Sequence, residues 1–181
     1  MSIGLYRGTV KLEPHDEAWD ICAKETISKL KELLKEDLID AHHIGSTAIR
    51  NIAAKPIIDI VLGVNDFDSL LKHNEVLEEN GFIYRGQDHP DQHLYICGKD
   101  DFITHHIHAT IYGSDTWNNY LNIKDYLNAH QEDALAYEDL KKELCEKFSD
   151  DRKTYTAHKA AFIEDIINKA KAWRNQSFYC L

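Results

Sequence analysis

The stretch 42–61, HHIGSTAIRNIAAKPIIDIV, decides how the rest of the chain is read. A β-type run over residues 39–44 breaks at Gly45-Ser46-Thr47 and resumes as an apolar strand over residues 57–62. A glycine and two hydroxyl residues, set between a strand and a short helix, aim backbone N–H groups and side-chain donors at a phosphate. Gly-Ser pairs also occur in ordinary turns, so the turn alone decides nothing. The next strand adds one carboxylate, Asp59, among Ile and Val. Phosphate donors beside an acidic group are a common way to hold a metal–nucleotide complex. A carboxylate in such a strand must be paired, hydrogen-bonded or metal-bound, because burying it alone is costly. Asp59 therefore either carries chemistry or is a strand-end residue that caps a loop or pairs with Lys55. Lys55 precedes Pro56, which holds it extended; there its ammonium reaches a phosphate as a point charge or pairs with an acid.

Residues 101–112, DFITHHIHATIY, read as a second strand of interest. Alternation puts Thr104, His106, His108 and Thr110 on one face and Ile103, His105, Ile107 and Ala109 on the other. Histidines at i and i+2 share a face about 7 Å apart along the strand, and neutral imidazoles so placed can both reach one metal ion. The other reading of the pair is two hydrogen-bonded structural histidines. His105 faces away and reads as core or edge. His43, just before the Gly-Ser turn, either joins Asp59, His106 and His108 as a metal ligand or orients the loop by a hydrogen bond.

Outward from these strands, residues 6–12 (YRGTVKL) read as a short strand or extended arm ending at Glu13-Pro14. Residues 16–35 carry Trp19, Ala23, Ile27, Leu30 and Leu34 three or four apart, an amphipathic helix with one buried stripe. A second helix is predicted over residues 66–80, capped by Asn65 or Asp66 and stopped by Gly81. Residues 82–99 read as one or two edge strands around the turn-rich GQDHPDQ. From Ser114 the chain reads as helical. Trp117, Tyr120 and Leu121 begin one helix; Ala136, Leu140, Leu144 and Phe148 stripe the next at strict four-residue spacing. Tyr155, Phe162, Ile163, Ile166, Ile167, Ala170 and Trp173 stripe the last. The fold class is thus α/β (α+β), with a helical C-terminal layer. One unit over residues 1–181 is expected, its core at about 10–130 and its C-terminal helices at about 131–173.

Composition narrows the partners. Hydrophobic residues at 43% and charged residues at 29% are ordinary for a soluble globular protein. Thirty-one acidic residues against 21 basic give a formal charge of -10, which argues against a long nucleic acid but leaves room for a basic pocket. No apolar run approaches the ~20 residues of a membrane span, and MSIGLYRG lacks a signal peptide's apolar core. Cys22, Cys97, Cys145 and Cys180 are scattered without a CxxC pair and read as reduced thiols of a cytoplasmic protein. GxSxG, GxGxxG and GxxxxGK[ST] are all missing, which sets aside the hydrolase elbow, Rossmann and P-loop sites.

Taken in order, HHIGSTAIRNIAAKPIIDIVLGV, THHIHATIYGSDTW, IKDYLNAHQEDALAYEDLKKEL and KTYTAHKAAFIEDII, with the early EPHDEAW, resemble the GrpB family over roughly residues 10–170. That family is similar to the nucleotidyltransferase superfamily, which implies a small mixed sheet flanked by helices. The resemblance also implies a Gly-Ser turn that binds a triphosphate, a D-x-D pair on the following strand that holds divalent metal, and a third carboxylate from a later strand. Carried over, Gly45 and Ser46 take the turn and Asp59 the first carboxylate. The second carboxylate's position falls on Val61, and the later strand offers His106 and His108 where an acid is expected. Fewer oxygen ligands weaken a Mg²⁺ site, and imidazoles favour Zn²⁺ or Mn²⁺.

Three functions follow as expectations. The first is metal-dependent nucleotidyl or phosphoryl transfer to a small molecule, with Asp59, His106 and His108 catalytic or metal-binding and Gly45, Ser46, Thr47 and Lys55 on a nucleoside triphosphate. The second is a degenerate nucleotide- or anion-binding module of the same fold. The third is a metal-dependent phosphoester hydrolase.

Overall fold

The computed structural model describes residues 3–148 and 151–178; Cys180 lies outside them. β1 (Leu5–Tyr6) is shorter than the expected arm, and the chain reaches α1 through an isolated bridge between Glu13 and Ala54. α1 (Ala18–Leu34) starts where Asp16 Oδ1 accepts from Ala18 N, and it buries Trp19, Ala23, Leu30 and Leu34 along one stripe. β2 (Leu38–Ile44) and β3 (Ile58–Val64) follow, separated by a loop that begins with one 3-10 turn at Ser46–Ala48.

The single helix expected over residues 66–80 is two, α2 (Phe67–Leu71) and α3 (Asn74–Glu79). Asp66 caps the first by accepting from Ser69 N at 2.7 Å. At the break, His73 Nε2 lies 2.8 Å from Asp37 Oδ2, so a polar contact to the sheet's entry turn replaces helix continuity. β4 (Ile83–His89), β5 (Gln92–Lys99) and β6 (Phe102–Ile111) complete the sheet. The strand order is β2-β3-β6-β5-β4, with β1 on β6 beyond the start of β3. Only the β3–β6 pair is parallel, so the sheet is mixed. β5 sits between β6 and β4, which corrects its reading as an edge strand.

Helices α4 (Asp115–Ala129), α5 (Gln131–Lys147) and α6 (Arg152–Phe178) form the C-terminal layer. Ser114 caps α4 by accepting from Trp117 N at 3.2 Å. The buried face of α5 is Ala134, Tyr137, Lys141 and Leu144, not the strict four-residue row through Ala136, which is exposed. Four-residue steps drift about 40° per step around a helix of 3.6 residues per turn, whereas alternating three and four stays on one face. Among the described residues no helix is long and apolar enough to cross a membrane.

Strand alternation gives the sheet two distinct faces. Ile58, Ile60, Leu62, Tyr95, Ile107 and Ala109 pack against α1 in the main core. On the other face Ile44 and Val61 meet Trp117 of α4. Gly63 lies beneath that indole: a Cβ there would come within 2.8 Å of Tyr112 Cδ2 and 2.9 Å of Trp117 Cζ3. Gly63→Ala is accordingly expected to lower stability by about 1–3 kcal/mol through overpacking, read as a drop in the urea midpoint at unchanged m-value.

Candidate functional site

Asp59 faces the C-terminal helices from β3. The parallel register sets it beside His106 and sets Val61 beside His108, so two imidazoles i, i+2 on β6 converge on one carboxylate. His106 Nδ1 lies 3.0 Å and His108 Nε2 3.6 Å from Asp59 Oδ1. One ligand atom from each of the three residues falls within 4.8 Å of the others, close enough for one ion to bridge. A carboxylate with two imidazoles is a donor set for Zn²⁺ or Mn²⁺. Burial by itself would push the Asp59 carboxyl up; the opposing influences, led by the hydrogen bond from His106, override it and hold the group well below the usual carboxylate range. Gly45 closes over this carboxylate with φ +71°, and any Cβ there would run into Asp59 Oδ2. The glycine is therefore needed for close approach as much as for the turn.

The three residues sit in the wall of a cavity of about 390 Å³ between the sheet face and helices α4–α6. Its other walls hold Ser46 and Lys55 from the loop, Tyr137 and Lys141 from α5, and Tyr155 and Lys159 from α6. Ser46 Oγ donates to Tyr137 Oη at 3.3 Å, and Lys159 Nζ lies 3.5 Å from the same oxygen. Lys55 and Lys159 lie over the Tyr155 ring, and Lys141 over the Tyr137 ring at 4.6 Å. Lys141 is almost fully buried; its Nζ donates to the Ala53 carbonyl. Burial and then the charge of Lys159 push that amine down to about 7. The loop is docked onto the helices from both sides: Glu138 accepts from Ala53 N at 2.6 Å, and Asn128 accepts from Arg50 N and donates to the Ala48 carbonyl. Ile49 and Ile52 pack into the helical core beneath it.

Gly45, Ser46, Lys55, Asp59, His106 and His108 thus lie together around one cavity. His43 does not join them. Pairing with Ile60 puts it on the α1 face of the sheet, where Nδ1 donates to Asp20 Oδ1 and Nε2 lies 2.9 Å from the Thr47 hydroxyl. Burial lowers the pKa of His43, and the Thr47 hydroxyl is held between its Nε2 and the Ile57 carbonyl, to which it donates at 3.4 Å. Thr47 lines the cavity, but its hydroxyl is turned into the scaffold and has no proton left for a phosphate. His43 orients the loop, the second of its two expected roles. Lys141, Lys159, Tyr137 and Tyr155 were not found from sequence, although a lysine on the core stripe of α5 was a usable signal.

The sheet and helices define a nucleotidyltransferase-like fold. The Cid1 poly(U) polymerase structure bound to MgATP is similar over 75% of this chain and 44% of that one, with TM-score 0.53 and 12% identity. The model of the family described as GrpB protein matches residues 9–169, and the chain belongs to that family. The glutamate-rich protein GrpB of Alkalihalophilus pseudofirmus is 35% identical over 178 residues, covering 92% of this chain and 99% of the relative. The UPF0157 protein YqkA of Bacillus subtilis is 32% identical over 165 residues, and the match spans 91% of this chain but 48% of YqkA. The conserved protein GrpB from Enterococcus faecalis is similar in structure, with TM-score 0.82, 30% identity and coverage of 90% and 99%.

His105 supplies a check on the two-faced sheet. It is buried on the α1 side, 3.2 Å from Thr26 Oγ1 and 3.4 Å from Cys22 Sγ, and burial pushes its pKa down to about 4. The unfolded chain therefore binds more protons than the folded one between about pH 6.5 and pH 4. Stability on this account is full above pH 6.5 and falls on acidification to about pH 4, by on the order of 3 kcal/mol. His105→Gln should remove that part of the slope in urea denaturation measured from pH 7 to pH 4.

Proposed function

We propose that the chain binds a metal–nucleotide complex and transfers a nucleotidyl or phosphoryl group to a small molecule. One observation carries this reading: a single cavity is lined both by a carboxylate–imidazole cluster and by Lys55, Lys141 and Lys159, in a chain of formal charge -10. A local excess of lysine in an acidic protein favours a small polyanion over a nucleic-acid polymer. The Cid1 fold, which holds MgATP in its own structure, adds support for a nucleotide. Asp59, His106 and His108 would hold the cation. When bound, a divalent ion there supplies charge neutralisation at a phosphoryl oxygen. The chain's own part is binding and orientation. Ser46 offers its hydroxyl from the Gly45 turn, the three lysines draw the polyphosphate in, and Lys141 regains its proton when an anion arrives.

A binding module without turnover is the second reading, favoured by Val61, which is fully buried against Ile44 and Trp117 where a second carboxylate is expected. Val61→Asp would place an uncompensated charge in that cluster. We expect it to cost about 3 kcal/mol or more without strengthening metal binding, seen by thermal denaturation beside Mn²⁺ titration. A gain in Mg²⁺ affinity with the fold intact would argue instead that the native site has lost a ligand.

Titration calorimetry of nucleoside triphosphates with and without Mn²⁺, Zn²⁺ or Mg²⁺ tests the main reading. Metal-dependent binding is expected, weakened at least about 10-fold by Asp59→Asn and roughly 10- to 100-fold by Lys141→Met. Affinity should fall as pH rises above about 7, because the bound anion favours the protonated Lys141, and Lys141→Met should flatten that dependence. No binding across nucleotides and metals sinks the proposal; binding with every nucleotide recovered intact in the presence of small-molecule acceptors selects the second reading.

A further inference from the structure

His108 is reached from behind by a chain of hydrogen bonds that has only one consistent direction. It starts at Asp88 near the end of β4, whose carboxylate can only accept. Gln92, across the hairpin, is almost fully buried and turns its Nε2 to Asp88 Oδ1 and Oδ2 at 3.1 and 3.2 Å. Turning the amide over would face its oxygen to a carboxylate, so Oε1 is held toward Tyr120. The Tyr120 hydroxyl donates to that oxygen at 2.7 Å. A phenol has one proton, and it is committed there. Toward His108 Nδ1, 3.4 Å away, Tyr120 presents only lone pairs. Where His108 meets those lone pairs its N–H is at Nδ1, and a neutral ring has no second one to place at Nε2. In the neutral ring Nε2 is then bare, and it faces Asp59 Oδ1 at 3.6 Å, longer than a hydrogen bond. Two electron-rich atoms so placed are satisfied by a cation between them.

The geometry points to Asp88, Gln92 and Tyr120 as positioning residues that hold His108 in the Nδ1–H tautomer and so present Nε2 as a ready metal donor. The inference rests on the metal reading of Asp59, His106 and His108 given above and deepens it. It assigns a task to a buried glutamine on the site face of β5, paired with Thr110 of β6, that does not itself line the cavity.

The test uses the full chain, metal-free and labelled with ¹⁵N-histidine, above pH 8, with the His108 signal assigned by its loss in His108→Gln. Long-range ¹H–¹⁵N correlation is expected to show Nδ1–H for His108. Gln92→Met releases the Tyr120 proton to Nδ1, so the tautomer should move toward Nε2–H and Mn²⁺ or Zn²⁺ affinity should fall about 10- to 100-fold. Asp88→Ala, at an exposed position, lets the amide turn and should shift both readouts the same way by a smaller amount. A parent protein already in the Nε2–H form overturns the inference, as do variants that leave tautomer and affinity at parent values. If the tautomer is Nδ1–H and shifts in Gln92→Met, yet the parent binds neither Mn²⁺ nor Zn²⁺, the relay's control of His108 is upheld and the metal reading fails.

Discussion

A carboxylate set in an apolar β-strand is the constraint around which this structure is arranged. Asp59 has Ile58 and Ile60 on either side, both fully buried, and an unanswered charge there would cost more than the strand's own pairing returns. The parallel contact of β3 with β6 answers it, because register brings His106 directly opposite and His108 two residues on. Had the two strands been antiparallel neighbours at another register, the same histidines would meet Val61 or leave the acid alone. A slip of one residue would turn every side chain to the other face. The strand pairing and the site are therefore one decision, made by the same contacts.

Alternation then sorts four histidines of similar appearance into two sets. His106 and His108 look toward the C-terminal helices and share a cavity with lysines. His43 and His105 look toward α1, where each is enclosed by side chains of the first helix: Asp20 for one, Cys22 and Thr26 for the other. The consequence is chemical. Enclosure on the α1 side favours neutral rings, suited to holding a loop and filling a core, while the cavity side keeps its ring nitrogens within reach of a ligand. His43 acts on the site only through Thr47, by fixing the turn that Gly45 begins.

Much of this could be read from the chain, and the misses have physical causes. The strand–turn–strand around Gly45, the period-2 pattern that joins His106 to His108, and the apolar stripes of α1 and α6 are local signals, and each stands in the structure. His43 was ambiguous because its face depends on pairing with Ile60, a partner 17 residues away that no local pattern announces. The break at residues 72–73 is set by a contact to Asp37, equally remote in sequence. In α5, treating four-residue spacing as a stripe passed over Lys141, the residue whose burial says most about the cavity. A charged residue on a helix's core face is a conflict between local preference and tertiary position, and such conflicts concentrate where a protein does chemistry.

Lys141 shows how that conflict is tolerated. Its amine is buried beside another lysine, which favours the uncharged form, yet it keeps a carbonyl acceptor at Ala53 and an aromatic face at Tyr137. Either protonation state is thus accommodated, and the helix pays little for holding it. In the same cavity Asp59 is biased just as firmly toward its charged form. The two groups lean in complementary directions: an anion that also carries a cation relieves both, whereas a neutral ligand relieves neither. A metal–polyphosphate has that pairing of charges built in. On the proposed reading one such ligand accounts together for the lysines of the loop, α5 and α6 and for the carboxylate of β3, which otherwise stand as separate structural accommodations.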